Sequence, residues 1–307
     1  MAELTRRTRI AVFALGAVYL IWGSTYLAIK LVIASIPPWS ASSLRYLLAG
    51  VVMLAIAKAQ RDAPLNRLEI RVAAASGALL VVANGLVGVV EQWIATGMVA
   101  VIIGAMPIWM MLLGWFAFAQ PRPTLQKVAG ALIGLGGIAL IAGGNFGGGN
   151  PHAALGNVLI LLSSWSWAVG TLIQRRVAGL KSLWLFSSYQ MLSGAAVTLL
   201  LALLLERPWA IAWRSVSADS WLALGYLVVF GSLVAFTAYG WLSRNVASHI
   251  VSTYALVNPI VAVALGFAVF QEPLNMQFVV ATVLVAIGLA VFLGKPIRLR
   301  AWRASAG

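Results

Sequence analysis

Residues 95–121 read "ATGMVAVIIGAMPIWMMLLGWFAFAQP", and residues 247–273 read "ASHIVSTYALVNPIVAVALGFAVFQEP". Pro107 aligns with Pro259, Gly114 with Gly266, Phe118 with Phe270 and Pro121 with Pro273, at a constant offset of 152 residues. Each stretch is long and apolar enough to cross a bilayer, so the repeat is a duplication of membrane-spanning units. The correspondence extends outward: Trp22 and Lys30 answer to Trp167 and Arg175, and Gly50 to Gly194, at slightly smaller offsets. Pro121 is followed by Arg122 and Lys127, whereas the matching turn after Pro273 carries neither Lys nor Arg. Short basic loops are retained on the cytoplasmic side, so the two copies run in opposite directions through the membrane.

The surrounding composition fits that reading. Of 307 residues, 62% are hydrophobic and 9% charged, against about 25% charged in an ordinary soluble domain. A water-soluble globule is excluded. Twenty-one Lys and Arg against seven Asp and Glu give +14, a balance that elsewhere would suggest nucleic acid. A mean hydropathy of +0.96 leaves no polar surface for a solvated basic face, so the partner of these cations is the lipid bilayer and no nucleic acid is expected. Cysteine is absent and only His152 and His249 could supply imidazole. That excludes disulfides, thiolate metal sites and multi-histidine sites, and no metal or cofactor is expected. His249 reads as an interfacial residue beside Arg244.

A spanning helix needs about 20 apolar residues. Ten segments meet this, near residues 10–33, 41–57, 70–89, 93–118, 126–142, 155–174, 184–205, 220–242, 248–270 and 276–294. The first is too long for a signal-peptide core and has no cleavage site behind it. The fold class is an all-α integral membrane protein with ten transmembrane helices as two inverted five-helix repeats. Five is odd, so the second repeat must enter from the opposite side. Residues 1–142 form the first repeat, 143–154 an outer linker ("GGNFGGGNPHAA"), and 155–307 the second repeat with a basic cytoplasmic tail. The linker glycines follow no strand and precede no Lys, unlike a phosphate-binding loop. With both termini cytoplasmic, all but four of the 21 Lys and Arg fall on the inner side. The exceptions are Arg207 and Arg214 in an outer loop, and Lys30 and Arg45 inside spans.

The sequence resembles the ten-helix EamA type of the drug/metabolite transporter superfamily. "IWGSTYLAIK" (21–30), "SSLRYLLAG" (42–50), "NGLVGVVEQW" (84–93) and the paired Pro and Gln/Glu-Pro motifs carry the likeness over nearly the whole chain. The resemblance implies an inner-membrane carrier, commonly an exporter of amino acids or related metabolites, with a central cavity between the halves. Cargo differs widely within the family and does not transfer with the fold.

Polar and aromatic groups on one helix face mark a solute path, because lipid offers them no hydrogen bonds. At helical spacing, Tyr19, Trp22, Gly23, Tyr26 and Lys30 share one face, as do Ser163, Trp167, Gly170, Thr171 and Gln174 in the equivalent helix. Gly77, Asn84, Gly88 and Glu91 form a third stripe, and Gly225, Ser232, Phe236 and Tyr239 a fourth. The same aromatics and small residues also suit helix packing and interfacial belts. The expected cavity residues are Trp22, Tyr26, Asn84, Trp109, Trp167, Thr171, Ser232, Tyr239, Tyr254 and Asn258. Pro107 and Pro259 lie inside spans, where each frees a carbonyl and kinks the helix, for gating or for packing alone.

Glu91, Lys30, Arg45, Pro107 and Pro259 are the candidates for gating or coupling. The other acids, Glu3, Asp62, Glu69, Glu206, Asp219 and Glu272, fall in tails, loops or span edges. Glu91 fits three roles: an ion pair with Arg45 or Lys30, an outer gate or solute contact, and a proton carrier. A paired Glu91 would carry protons poorly near neutral pH. Gly130 and Gly134 form a small-xxx-small pattern, read as packing within the chain, and a monomer is favoured over a homodimer. No catalytic constellation is visible, so no enzyme is expected. The alternative to a carrier of a small molecule is a membrane receptor or assembly scaffold without solute flux.

Overall fold

The computed structural model describes residues 2–104, 106–143, 151–177, 179–246, 254–272, 274 and 276–294. The helices are α1 (Ala2–Ile33), α2 (Pro38–Ala59), α3 (Arg67–Glu91), α4 (Thr96–Gly104), α5 (Met106–Ala117), α6 (Leu125–Gly143), α7 (Ala153–Gln174) and α8 (Leu183–Leu205). They continue with α9 (Ala218–Tyr226), a π-helical segment (Leu227–Val234), α10 (Ala235–Asn245), α11 (Tyr254–Phe270) and α12 (Met276–Leu293). Eight stretches among the described residues are long and apolar enough to cross a membrane, counting Thr96–Ala117 and Ala218–Tyr239 as one each. The shorter apolar helices Leu125–Leu140 and Val257–Phe270 bring the spans to ten. The chain is an all-helical, two-repeat membrane protein. Residues 144–150 of the expected linker, and His249, lie outside the described residues.

Local chemistry sets where the helices begin. Pro38 opens α2 at a position whose amide has no helical partner. Asn66 and Glu69 form a reciprocal capping box on α3, and Ser182 and Ser217 cap α8 and α9 through their hydroxyls. Large apolar side chains remain on the outside, among them Phe13 at 77% exposure and Phe116 at 73%. Water would penalise that surface and hydrocarbon does not. Trp209, Trp213 and Trp221 are exposed around the short 3-10 turns before α9, as an interfacial aromatic belt requires.

Packing between the halves is reciprocal. α2 packs on α8 and α6 on α12, each pairing a helix with its repeat equivalent. α3 packs on α7 as α1 packs on α9 and α10, and α1 on α11 as α5 on α7. This is the pattern a two-fold axis in the membrane plane produces. Gly130 and Gly134 face Gly288 of α12: a Cβ on Gly288 would stand 2.6 Å from the Gly130 oxygen and 2.4 Å from the Gly134 nitrogen. That small-residue pattern is therefore filled within the chain.

Each half also supplies helix caps to the other. The Glu206 carboxylate, past the end of α8, accepts from the amides of Trp39 (2.7 Å) and Ser40 (2.8 Å) at the start of α2. Reciprocally, Asp62 beyond α2 accepts from the Ser182 hydroxyl that caps α8. Glu272 beyond α11 accepts from the amides of Thr96 (2.7 Å) and Gly97 (3.0 Å) at the start of α4.

Candidate functional site

A cavity lies between the repeats, lined from α1, α2, α3, α4, α5, α7, the π-helical segment, α10 and α11. Its empty volume, mouth and open solvent included, is about 830 Å³. From α1, Trp22, Thr25, Tyr26 and Ile29 face it, one helical stripe as the periodicity requires. The Trp22 indole nitrogen donates to the Gly231 carbonyl (3.3 Å) inside the π-helical segment. That segment shifts the hydrogen-bond register locally, a distortion common at functional sites.

From α2 come Arg45 and Tyr46. Arg45 is 5% exposed. Its Nε donates to the Ser232 hydroxyl (3.0 Å), and its guanidinium carbon sits 4.7 Å from the Tyr46 ring centroid. α3 and α7 contribute Asn84, Ser163, Ser164 and Trp167. The Ser163 hydroxyl donates to the Ala83 carbonyl (2.7 Å), tying these helices together, while the buried Ser164 hydroxyl has no partner among the described residues. On α11, Tyr254, Asn258 and Pro259 complete the wall. With its amide nitrogen turned toward the carbonyls of Tyr254 (3.2 Å) and Tyr19 (3.3 Å), Asn258 donates to both and bridges α11 to α1.

The two ends of the cavity differ. At one end, Trp22 packs against Phe236, Tyr239 and Tyr254 with centroids 6.1, 5.1 and 5.2 Å away. Toward the other, the Lys30 ammonium donates to Glu272 (3.0 Å) and lies 4.9 Å from the Phe270 ring centroid. Burial alone would push the Glu272 carboxyl up, but the Gly97 amide, the Lys30 ammonium and the Thr96 amide together hold it below its ordinary value.

Of the expected cavity residues, Trp22, Tyr26, Asn84, Trp167, Tyr254 and Asn258 line the space. Ser232 stands behind it holding Arg45, and Tyr239 backs Trp22. Thr171 returns its hydroxyl to the Trp167 carbonyl (2.8 Å), and Trp109 lies on α5 outside the lining set. Of the gating candidates, Arg45 and Pro259 are in the wall; the Pro107 side chain lies outside the described residues.

The expected ion pair of Glu91 with Arg45 or Lys30 is not present. Lys30 pairs with Glu272 instead, Arg45 bonds Ser232, and both carboxyl oxygens of Glu91, 3% exposed, have no hydrogen-bond partner among the described residues. A turn residue six positions past Gly266 reaches α1 and α4, a tertiary closure that position in the chain does not reveal. Thr25, Tyr46 and Ser164 are cavity residues that sequence reasoning missed. The available signal for Ser164 was the cluster Ser163, Ser164 and Ser166 in an otherwise apolar span.

Comparison with known proteins agrees with this architecture. The EamA-like transporter family model matches residues 9–143 and again 154–294. The chain is 36% identical over 294 residues to the protein named "Uncharacterized inner membrane transporter YedA" of Escherichia coli K12, covering 92% of this chain and 93% of that one. It is 25% identical to "Uncharacterized transporter YvbV" of Bacillus subtilis, covering 93% and 92%. A crystal structure at 19% identity superposes with a TM-score of 0.64 over 94% of this chain and 97% of the other, which speaks to fold alone.

Proposed function

The chain belongs to the EamA-like transporter family, and from that premise we propose that it is a secondary carrier of the inner membrane, moving a small amphipathic metabolite outward by alternating access. Amino acids and their relatives are the proposed cargo class. The observation that carries this reading is the cavity between opposed repeats, with an aromatic cluster at one end and the Lys30–Glu272 pair toward the other. Two inverted halves around one site have two equivalent closures, and rocking between them exposes the site to either side. Solute binding shifts the balance only by its differential affinity for the two states. Tyr and Trp faces suit the apolar part of such a cargo.

In this reading both termini face the cytoplasm, the protein acts as a monomer without catalysing a reaction, and Pro107 and Pro259 give their spans the freedom to bend. Glu91, without a hydrogen-bond partner among the described residues, is the candidate for proton coupling or for the outer gate. Purified protein in liposomes, screened with amino acids and amphipathic metabolites with and without an imposed proton gradient, tests the proposal. Solute flux above empty liposomes is the expected result; its absence across the screen favours a receptor or scaffold. A pH-dependent flux that persists in Glu91→Gln removes the coupling role. Full activity in Pro107→Ala and Pro259→Ala at matched expression removes the hinge role.

A further inference from the structure

Resting on the carrier reading, we infer that Arg45 is the receptor for a carboxylate on the transported solute, so that the cavity selects small carboxylate monoanions and zwitterions over their neutral amides. The argument starts from an unbalanced charge. Among the described residues the one ion pair is Lys30–Glu272, and no Asp or Glu lines the cavity. A guanidinium keeps its proton in proteins, and a buried cation without a counter-charge is costly in a low-dielectric interior. The Tyr46 ring offsets part of that cost from one face.

The geometry selects the anion. The Nε–H is already spent on Ser232 (3.0 Å), whereas the two terminal nitrogens make no hydrogen bond to any described residue. The unused edge is the fork whose two parallel N–H groups match a carboxylate. The π-helical segment makes room for it: a Cβ on Gly231 would stand 3.0 Å from Arg45 Nη2. Ser164, whose buried hydroxyl has no partner among the described residues, lines the same cavity. One guanidinium balances one negative charge; a phosphate dianion would leave excess charge facing an apolar wall.

Purified wild-type protein is tested by thermal-shift binding with 3-phenylpropionate against 3-phenylpropionamide, L-leucine against L-leucinamide, L-phenylalanine against L-phenylalaninamide, and inorganic phosphate. The expected result is that at least one acid binds about tenfold or more tightly than its own amide. That ratio should collapse in Arg45→Gln and return in part in Arg45→Lys. Amides equal to their acids, no acid binding, a ratio unchanged in Arg45→Gln, or phosphate binding above every carboxylate overturns the inference. The wild-type comparison needs no variant, so a misfolded Arg45→Gln does not rescue it. Liposome flux of the same pairs is read separately. Equal flux of acid and amide sinks the carboxylate receptor and leaves the carrier standing, whereas selective binding without any flux sinks the carrier reading.

Discussion

The turn after α11 and the turn after α5 are copies of one another with different chemistry. Both close on a left-handed residue, Gln271 and Ala119, each at φ 51. Both return an amide to a glycine carbonyl, Glu272 to Gly266 at 3.2 Å and Gln120 to Gly114 at 2.9 Å. Both glycines admit the following side chain: a Cβ would stand 2.4 Å from Glu272 Oε2 at Gly266 and 2.5 Å from Gln120 Oε1 at Gly114. The difference is one charge. Glu272 caps α4 and pairs with Lys30. Gln120 is neutral, and Arg175, the repeat equivalent of Lys30, is exposed with no ion pair among the described residues. The two turns share a backbone, and a single side chain makes them chemically unequal.

Removing that side chain is the strongest way to break the comparison. Glu272→Ala leaves two α4 amides and the Lys30 ammonium without their acceptor, and should cost about 2–3 kcal/mol, read as a lower Tm in detergent. Gln120→Ala at the matching position should stay within about 0.5 kcal/mol. Next is a double-mutant cycle of Glu272→Gln with Lys30→Met. Because Lys30 is partly exposed, its coupling should be about 1 kcal/mol rather than that of a buried pair.

The same contrast has a pH signature. Glu272 is held below its ordinary value in the folded protein, so its stabilising effect is full above the ordinary carboxylate pKa of about 4.3 and is lost as pH falls through the depressed value. The Tm gap between wild type and Glu272→Gln should therefore be constant near neutrality and close on acidification; a gap that widens toward low pH contradicts the assignment. A smaller difference separates the glycines. Gly266→Ala meets a carboxylate pinned by three hydrogen bonds and should cost about 1 kcal/mol more than Gly114→Ala, where Gln120 can swing aside. Smallest of all, Ala119→Gly and Gln271→Gly should each change stability by under about 1 kcal/mol and by similar amounts, because relief of the left-handed backbone is nearly offset by glycine's unfolded-state entropy.

Much of this architecture was legible in residue order because bilayer constraints are one-dimensional: span length, loop charge and an odd helix count per repeat. The α1 stripe through Trp22 and Tyr26 was legible for the same reason, since one helix's periodicity places its own face. What resisted was pairing across the repeats. Glu91 and Glu272 are both acids near the ends of spans, and only the approach of α11 and α4 to α1 gives Lys30 to the second. Arg45 lies inside α2 and read as a gate, because its meeting with Ser232 depends on a π-helical register that no local propensity encodes. Ser232, Tyr239 and Thr171 lie on the expected stripes but outside the lining, Ser232 holding Arg45, Tyr239 backing Trp22 and Thr171 bonded to its own helix.

The cross-repeat caps bear on how the protein is made. Trp39, Ser40, Thr96 and Gly97 receive their acceptors from Glu206 and Glu272, which the ribosome reaches well over a hundred residues later. Until then those four amides lack the acceptors they have in the finished fold. The first repeat alone is therefore short of two of its helix caps, which only the second repeat can supply.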